Sequence, residues 1–231
     1  MPAPARGCAG AILAGGLARR FGGRPKGLEH VGRRRILDRV ADALRPCTTT
    51  LLLVSGDPAA SAWLPDARRA DDPRPGLGSL GGLYAALVHA AGAPVLVVAW
   101  DMPFVPGALL AALREVGDAH ADVDAVLPEG AVGTEPLCGW YHPRCIDVAR
   151  ALLDRGERRA RALGEAVRTA TLPLGAVARH GDPAAMFLSV NTAADLERAR
   201  ALVDGAGVRR PLAGDAPPGI LRATPSTERD R

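Results

Sequence analysis

Aromatic residues are scarce, at 3% of the 231-residue chain. The 29 Lys and Arg residues are spread along the chain rather than clustered. That combination argues against nucleic acid, because single strands need stacking platforms and duplexes need a dense basic stripe. Cysteine is equally sparse. Cys8, Cys47, Cys138 and Cys145 are too few and too scattered for a disulfide scaffold, which points to reduced thiols in a cytosol. Cys138, His142 and Cys145 lie close enough to suggest a metal site, or else one strand thiol and two loop residues. No segment approaches the roughly 20 apolar residues of a membrane span, and the amino terminus lacks a basic start followed by a long apolar run. The expectation is a soluble, cytoplasmic protein with no membrane and no nucleic-acid partner.

Two common phosphate fingerprints are also missing. Neither the Walker spacing nor Gly-x-Gly-x-x-Gly occurs in the amino-terminal loop. What stands there is an apolar run, Ala9 to Leu13, that turns directly into Ala14-Gly15-Gly16-Leu17-Ala18-Arg19-Arg20-Phe21-Gly22-Gly23-Arg24-Pro25-Lys26. Glycines let the backbone approach an anion, and Arg20 and Lys26 bring charge to the same place. A net charge of +4 suits a polyphosphate ligand. In nucleotidyl transfer, a cation near the α-phosphate and another on the departing pyrophosphate lower the barrier, so Lys26 is assigned to the first and Arg20 to the second. The competing account is a Gly-rich surface turn with solvated charges.

Along the chain, strands and helices alternate. Strands are expected at Ala9–Leu13, Thr50–Ser55, Pro94–Ala99, Ala125–Leu127, Leu137–Tyr141, Thr169–Leu172 and Met186–Val190. Helical periodicity marks Ile36–Leu44, a helix around Leu83 and Leu87, Pro106–Val116, Cys145–Leu153 and a last helix capped by Thr192. The expected fold is α/β, a three-layer, mostly parallel, Rossmann-like sheet in a single domain over residues 1–207, with 208–231 a disordered tail.

Asp101 follows the most apolar strand and is the candidate magnesium ligand, with helix capping as its alternative. The long Pro/Gly-rich loop from Asp71 to Gly82 offers glycine backbone, and Asp71 or Asp72 as acceptors for a base or ribose. Ser55 points to the same sheet edge. Asn191 binds substrate or metal, or caps a helix.

These residues carry a resemblance to the molybdenum cofactor guanylyltransferase family, MobA-like members of the nucleotidyltransferase fold. Leu13-Ala14-Gly15-Gly16, Arg20-Phe21-Gly22-Gly23 and Lys26-Gly27-Leu28 resemble its amino-terminal signature. Gly78-Ser79-Leu80-Gly81-Gly82 resembles its Gly-Pro-Leu-Ala-Gly loop, Asp101-Met102-Pro103-Phe104 its metal motif, and Val190-Asn191-Thr192 with Asp195-Leu196 its carboxyl-terminal motif. Pro136-Leu137 and Gly156-Glu157-Arg158-Arg159 look like its middle segments.

The resemblance implies magnesium-dependent attack by the terminal phosphate of Mo-molybdopterin on the α-phosphate of GTP, forming the guanine dinucleotide and releasing pyrophosphate. It further implies that Leu13, Gly15, Lys26, Asp72 and Asp101 contact GTP or magnesium, with Ala14, Gly16 and Gly82 on the same nucleotide-binding surface. Molybdoenzymes or cofactor-insertion proteins would be the downstream partners. Ser55 stands where the family often has Asn, and Ser79 where it has Pro. Cytidylyl or sugar-phosphate nucleotidyl transfer would use the same loop and aspartate. The Gly15-Gly16 pair resembles guanylyl enzymes, whereas cytidylyl relatives tend to have Ala-Gly. A non-catalytic nucleotide- or cofactor-binding chaperone would not require Lys26 and Asp101 together.

Overall fold

The computed structural model describes residues 7–15, 25–74, 76–205 and 222–223. In chain order the strands are β1 (Ala9–Leu13), β2 (His30–Val31), β3 (Arg34–Arg35), β4 (Thr50–Val54), β5 (Arg68–Ala70), β6 (Val95–Ala99), β7 (Ala125–Gly130), β8 (Gly133–Thr134), β9 (Cys138–Tyr141), β10 (Thr169–Leu172) and β11 (Arg222–Ala223). The helices are α1 (Ile36–Leu44), α2 (Ala60–Trp63), α3 (Gly78–His89), α4 (Gly107–Ala119), α5 (Cys145–Asp154), α6 (Arg161–Ala166), α7 (Leu174–Val177), α8 (Pro183–Met186) and α9 (Ala193–Gly205).

Among the described residues, one sheet runs β11-β10-β7-β9-β6-β1-β4-β5, with β8 paired to β7. The contacts β1 to β4, β1 to β6, β4 to β5 and β7 to β10 are parallel. Antiparallel β9 is inserted between β6 and β7, which makes the sheet mixed but mostly parallel. Two residues of the carboxyl-terminal stretch, β11, pair antiparallel with β10. The remainder of that expected tail lies outside the described residues.

Strand alternation explains the layers. Ile12, Leu53, Leu96, Val98, Cys138 and Trp140 pack on one face of the sheet against Leu37, Val40, Ala41 and Leu44 of α1 and Leu109, Leu110 and Leu113 of α4. Ala11, Leu13, Leu52, Val54, Val95, Val97 and Tyr141 pack on the other against Leu80, Leu83 and Leu87 of α3 and Ala149 and Leu153 of α5. With both faces covered, central strands become continuous apolar runs, and all five residues of β6 are buried. Each Val or Leu buried in this way contributes about 1.5–3 kcal/mol. Helix α1 buries Ile36, Leu37, Val40, Ala41 and Leu44, a single stripe at helical spacing that ends before Pro46.

A third, smaller core joins distant segments: Val31, Ile36, Leu188, Val190, Leu196 and Ala199, with Phe104 and Val203 against it. This cluster corrects one expectation. Residues 186–190 are not a strand, because Met186 ends α8 and 187–190 form no ladder. Met186, Leu188 and Val190 are buried alternately, which is the pattern of a half-buried strand. Both sides of β6 are already occupied, by β1 and β9, so the segment ends as a strap over the small core.

The cysteine cluster is also resolved. Cys138 belongs to the α1/α4 side of the sheet and Cys145 to the α3/α5 side, so they cannot share a metal ion. The Cys145 thiol donates to the Asp124 carbonyl at 3.2 Å, and the His142 amide donates to the same carbonyl at 2.8 Å. Among the described residues, no three His, Cys, Asp or Glu side chains are grouped to hold a metal. No described helix is long and apolar enough to cross a membrane.

Burial pushes the Cys8 and Cys145 thiols up to about 12 and raises Cys47 and Cys138 as well. A thiol whose pKa is higher folded than unfolded loses its contribution to stability as pH rises past the unfolded value of about 8.5. An aromatic disulfide reagent at pH 8 is therefore expected to label the native protein slowly and all four thiols at once in denaturant, with the melting temperature falling above about pH 8.5.

Candidate functional site

The chain runs from β1 outward to β4 and β5, then returns to place β6 on the other flank of β1. The crevice beyond the carboxyl ends of β1 and β6 is thus a topological switch point, the place where open α/β sheets bind ligands. Parallel register brings the loops to one edge: Leu13 is level with Val54 on one side and Ala99 on the other, and Val54 is level with Ala70. Ala14, Ser55, Asp72 and Asp101 therefore emerge along the same rim.

At the centre is Lys26. Its Nζ donates to Asp101 Oδ2 at 2.5 Å and to Asn191 Oδ1 at 2.6 Å, across 75 and 165 positions of sequence. An ammonium has three N–H donors, so among the described residues these two contacts leave one for a ligand oxygen. Lys26 and Asp101 keep 15% and 12% side-chain exposure, which leaves the pair reachable from solvent while sheltering it from full screening. Of the 29 Lys and Arg residues, Lys26 is the single lysine. An ammonium is a compact point charge and a guanidinium a planar fork, so a lone lysine among arginines is a sequence signal in its own right.

Three local devices hold this convergence. Lys26–Leu28 is a 3-10 turn closed by Leu28 N–H to the Pro25 carbonyl at 3.0 Å and Glu29 N–H to the Lys26 carbonyl at 3.1 Å. The Trp100 amide donates to the Leu13 carbonyl at 3.2 Å, extending the β1–β6 ladder to the residue before Asp101. The Val190 amide donates to the Asp101 carbonyl at 2.8 Å, which delivers Asn191 from the strap.

Asn191 is not itself the cap of α9. Thr192 takes that role: its Oγ1 accepts the Asp195 amide at 3.2 Å, while Asp195 Oδ2 accepts the amides of Asn191 and Thr192 at 3.1 and 2.9 Å. This reciprocal box leaves the Asn191 side chain to face Lys26.

The other expected residues divide. The Leu13 side chain is buried and meets Gly82, whose Cβ position is 3.7 Å from Leu13 Cδ1. Ala14 is buried, with its amide on the Val54 carbonyl at 2.9 Å. Gly15 is exposed, with no atom of the described residues within 4 Å of where a Cβ would stand. Gly16 and Arg20 lie outside the described residues. Ser55 is at the rim but buried, and its Oγ accepts the Asp57 amide at 3.2 Å, within its own turn. Of the two loop aspartates, Asp71 pairs with Arg69, and its carbonyl faces His89 Nε2 at 2.9 Å. Asp72 instead accepts the Arg74 amide at 2.8 Å and has its other oxygen 3.6 Å from the Cβ position of Gly81 in α3.

The expected loop from Asp71 to Gly82 is shorter than the sequence suggested, since α3 begins at Gly78. Gly78 is glycine for packing: its φ is +67° and a Cβ would stand 2.7 Å from the Arg158 carbonyl. That carbonyl accepts the Leu80 amide at 3.0 Å. Ser79, the departure from proline, is a cross-link, for its Oγ accepts the Ala160 amide at 2.9 Å and donates to the Arg158 carbonyl at 3.4 Å.

A mostly parallel three-layer sheet with a cation and a carboxylate at its switch point defines an enzyme of the nucleotide-handling α/β class. A family model described as MobA-like NTP transferase domain matches residues 10–171. A molybdenum cofactor guanylyltransferase of Desulfosudis oleivorans is 31% identical over 195 residues, covering 84% of this chain and 95% of that protein. One from Cereibacter sphaeroides is 37% identical, covering 84% of this chain and 96% of that protein. Among solved structures, molybdopterin-guanine dinucleotide biosynthesis protein A from Archaeoglobus fulgidus superposes with a TM-score of 0.73 at 26% identity, over 86% of this chain and all of that one. The chain belongs to the MobA-like NTP transferase family and is a nucleotidyltransferase.

The Asp195 carboxyl is held below its ordinary range by the Thr192 hydroxyl, helped by the Asn191 and Thr192 amides. A lowered carboxyl contributes stability that is complete above the unfolded value of about 3.9 and lost as pH falls through the folded value. Asp195→Asn is expected to cost about 1 kcal/mol at pH 7, with the deficit relative to wild type shrinking as pH is lowered below about 4, measured by denaturant melts across pH.

Proposed function

We propose that this nucleotidyltransferase is a molybdenum cofactor guanylyltransferase that transfers GMP from GTP to Mo-molybdopterin and releases pyrophosphate. The observation that carries the reading is the sharing of the Lys26 ammonium by Asp101 and Asn191 at the β1/β6 switch point. The names of the relatives in Desulfosudis oleivorans and Cereibacter sphaeroides support the choice of substrate.

In this reading the nucleotide lies across the rim. Leu13, Ala14, Gly15 and Gly16 are assigned to the base, and the lack of side chains at positions 15 and 16 suits a purine such as guanine. Ser55, Asp72 and Gly82 line the base and ribose end. Since Ser55 already serves its own turn and Asp72 has one oxygen committed to the Arg74 amide, the free oxygen of Asp72 is the stronger acceptor for a guanine edge. Lys26 stands at the α-phosphate, where its remaining N–H meets charge that grows as the terminal phosphate of the pterin attacks. Arg20 is assigned to the departing pyrophosphate.

Lys26 engages Oδ2 of Asp101, and the second carboxylate oxygen is a hard donor of the type magnesium prefers; with so few protein ligands the ion would complete its shell with substrate phosphates and water. Asp101 would hold it, with the chemistry of charge neutralisation at the reacting phosphates. The reaction needs neither a membrane nor nucleic acid and fits a cytoplasmic enzyme that passes its product to molybdoenzymes or cofactor-insertion proteins.

Pyrophosphate release measured with Mo-molybdopterin and either GTP or CTP tests the assignment. GTP is expected to support turnover and CTP not; the reverse preference, or none with either, would sink it. Asp101→Ala is expected to abolish transfer with a native circular dichroism spectrum, and Lys26→Ala to raise the barrier by about 2–4 kcal/mol.

A further inference from the structure

We propose that Trp100 is a positioning residue for Lys26, acting through Gly27. An ideal Cβ built on Gly27 would lie 2.3 Å from Cε3 of Trp100, 2.8 Å from Cδ2 and 3.0 Å from Cζ3. The backbone of the Lys26–Leu28 turn therefore rests directly against the six-membered ring of the indole, at a separation only glycine permits. Gly27 has an ordinary backbone conformation, as its φ is not in the positive range, so close approach is the reason for glycine here. The ring is itself held, being 3% exposed and stacked on Trp63 with centroids 5.6 Å apart and planes 18° from parallel.

Trp100 and Asp101 are neighbours in sequence and grip the same turn at two points. The indole sets where the backbone of residue 27 sits, and the carboxylate bonds the Nζ of residue 26 at 2.5 Å. The amide of Trp100 is tied to Leu13, so both contacts are referred to β1, which carries the start of the nucleotide loop. Among the described residues Trp100 Nε1 is buried with no hydrogen-bond partner, and the contact with Gly27 is made by the bulk of the ring. A smaller side chain would let the turn sink toward the core and draw the ammonium away from Asp101 and Asn191. Misplacement of about 1 Å at such a group can cost on the order of 10²-fold in rate.

The rate part of this inference rests on the transfer reaction proposed above, and the single lysine of the chain provides a readout that does not. Lys26 is the one side-chain amine that an N-hydroxysuccinimide acetate can acylate, separable from the terminal amine by peptide mass mapping. Relative to wild type, Trp100→Ala is expected to speed Lys26 acylation and lower kcat by about 10- to 100-fold, with KM for GTP changed by less than about threefold. Trp100→Phe, which keeps a ring and removes the indole N–H, is expected to restore both to within about threefold, and Trp63→Phe to lower the melting temperature with both unchanged. In a Lys26→Ala background, Trp100→Ala is expected to cause no further fall in kcat. Unchanged acylation in Trp100→Ala, or a kcat loss that adds in full to that of Lys26→Ala, would overturn the proposal. If Trp100→Ala does not fold, Trp100→Leu takes its place in the same comparison. Absence of transfer in wild type would instead count against the guanylyl assignment, leaving the acylation comparison to decide the role of Trp100.

Discussion

One ammonium shared by two side-chain oxygens is the constraint to which the described parts of the site refer. Lys26, Asp101 and Asn191 come from a turn, a strand end and a strap that are far apart in sequence, and they meet within 2.6 Å. Hydrogen bonds to a charged group are worth about 1.5–3 kcal/mol each, and removing one partner leaves the others poorly compensated in a partly buried place. The pair is not a stability device of the core, because it sits at the rim with solvent access. In the proposed transfer it would be a charge held in place before the ligand arrives, an arrangement that lowers reorganisation.

The rest of the fold can be understood as what brings those three groups together. Strand alternation gives the sheet two apolar faces, and parallel pairing places the ends of β1, β4, β5 and β6 on one edge. The small core around Val31, Ile36, Val190 and Leu196 binds the strap and α9 to the hairpin of β2 and β3, close after the Lys26 turn. The Thr192–Asp195 box starts α9 just after Asn191, which leaves the Asn191 side chain to face Lys26. Membership of the MobA-like NTP transferase family accounts for the frame over residues 10–171, and Asn191 is supplied from beyond that span.

Much of this was legible in the sequence, for identifiable reasons. Central parallel strands are apolar runs, so β1, β4 and β6 stood out, with Asp101 at the end of one of them as the candidate site residue. The 186–190 segment misled because alternate burial in a strap has the same period as a strand, and only the occupancy of both sides of β6 decides between them. The glycines at 78, 81 and 82 looked like ligand-approach residues, while Gly78 answers to the Arg158 carbonyl, a partner 80 residues away that no local pattern reveals. The choice between substrate contact and helix cap for Asn191 was undecidable locally, since both the cap and the contact follow a strap of the same composition. Trp100 carried no periodic signal at all. The single lysine among so many arginines was present in the sequence and is the clearest mark of the site in retrospect.

That contrast also supplies the most direct test of the account. If a compact point charge shared at 2.5 and 2.6 Å is what the site requires, the wider, planar guanidinium cannot replace it even though the net charge is kept. The measurement is the rate of guanylyl transfer to Mo-molybdopterin by Lys26→Arg, with folding checked by its melting temperature. The account predicts a rate close to that of Lys26→Ala and far below wild type. A Lys26→Arg enzyme within about threefold of wild type would contradict it, by showing that positive charge alone, without the shared geometry, is sufficient.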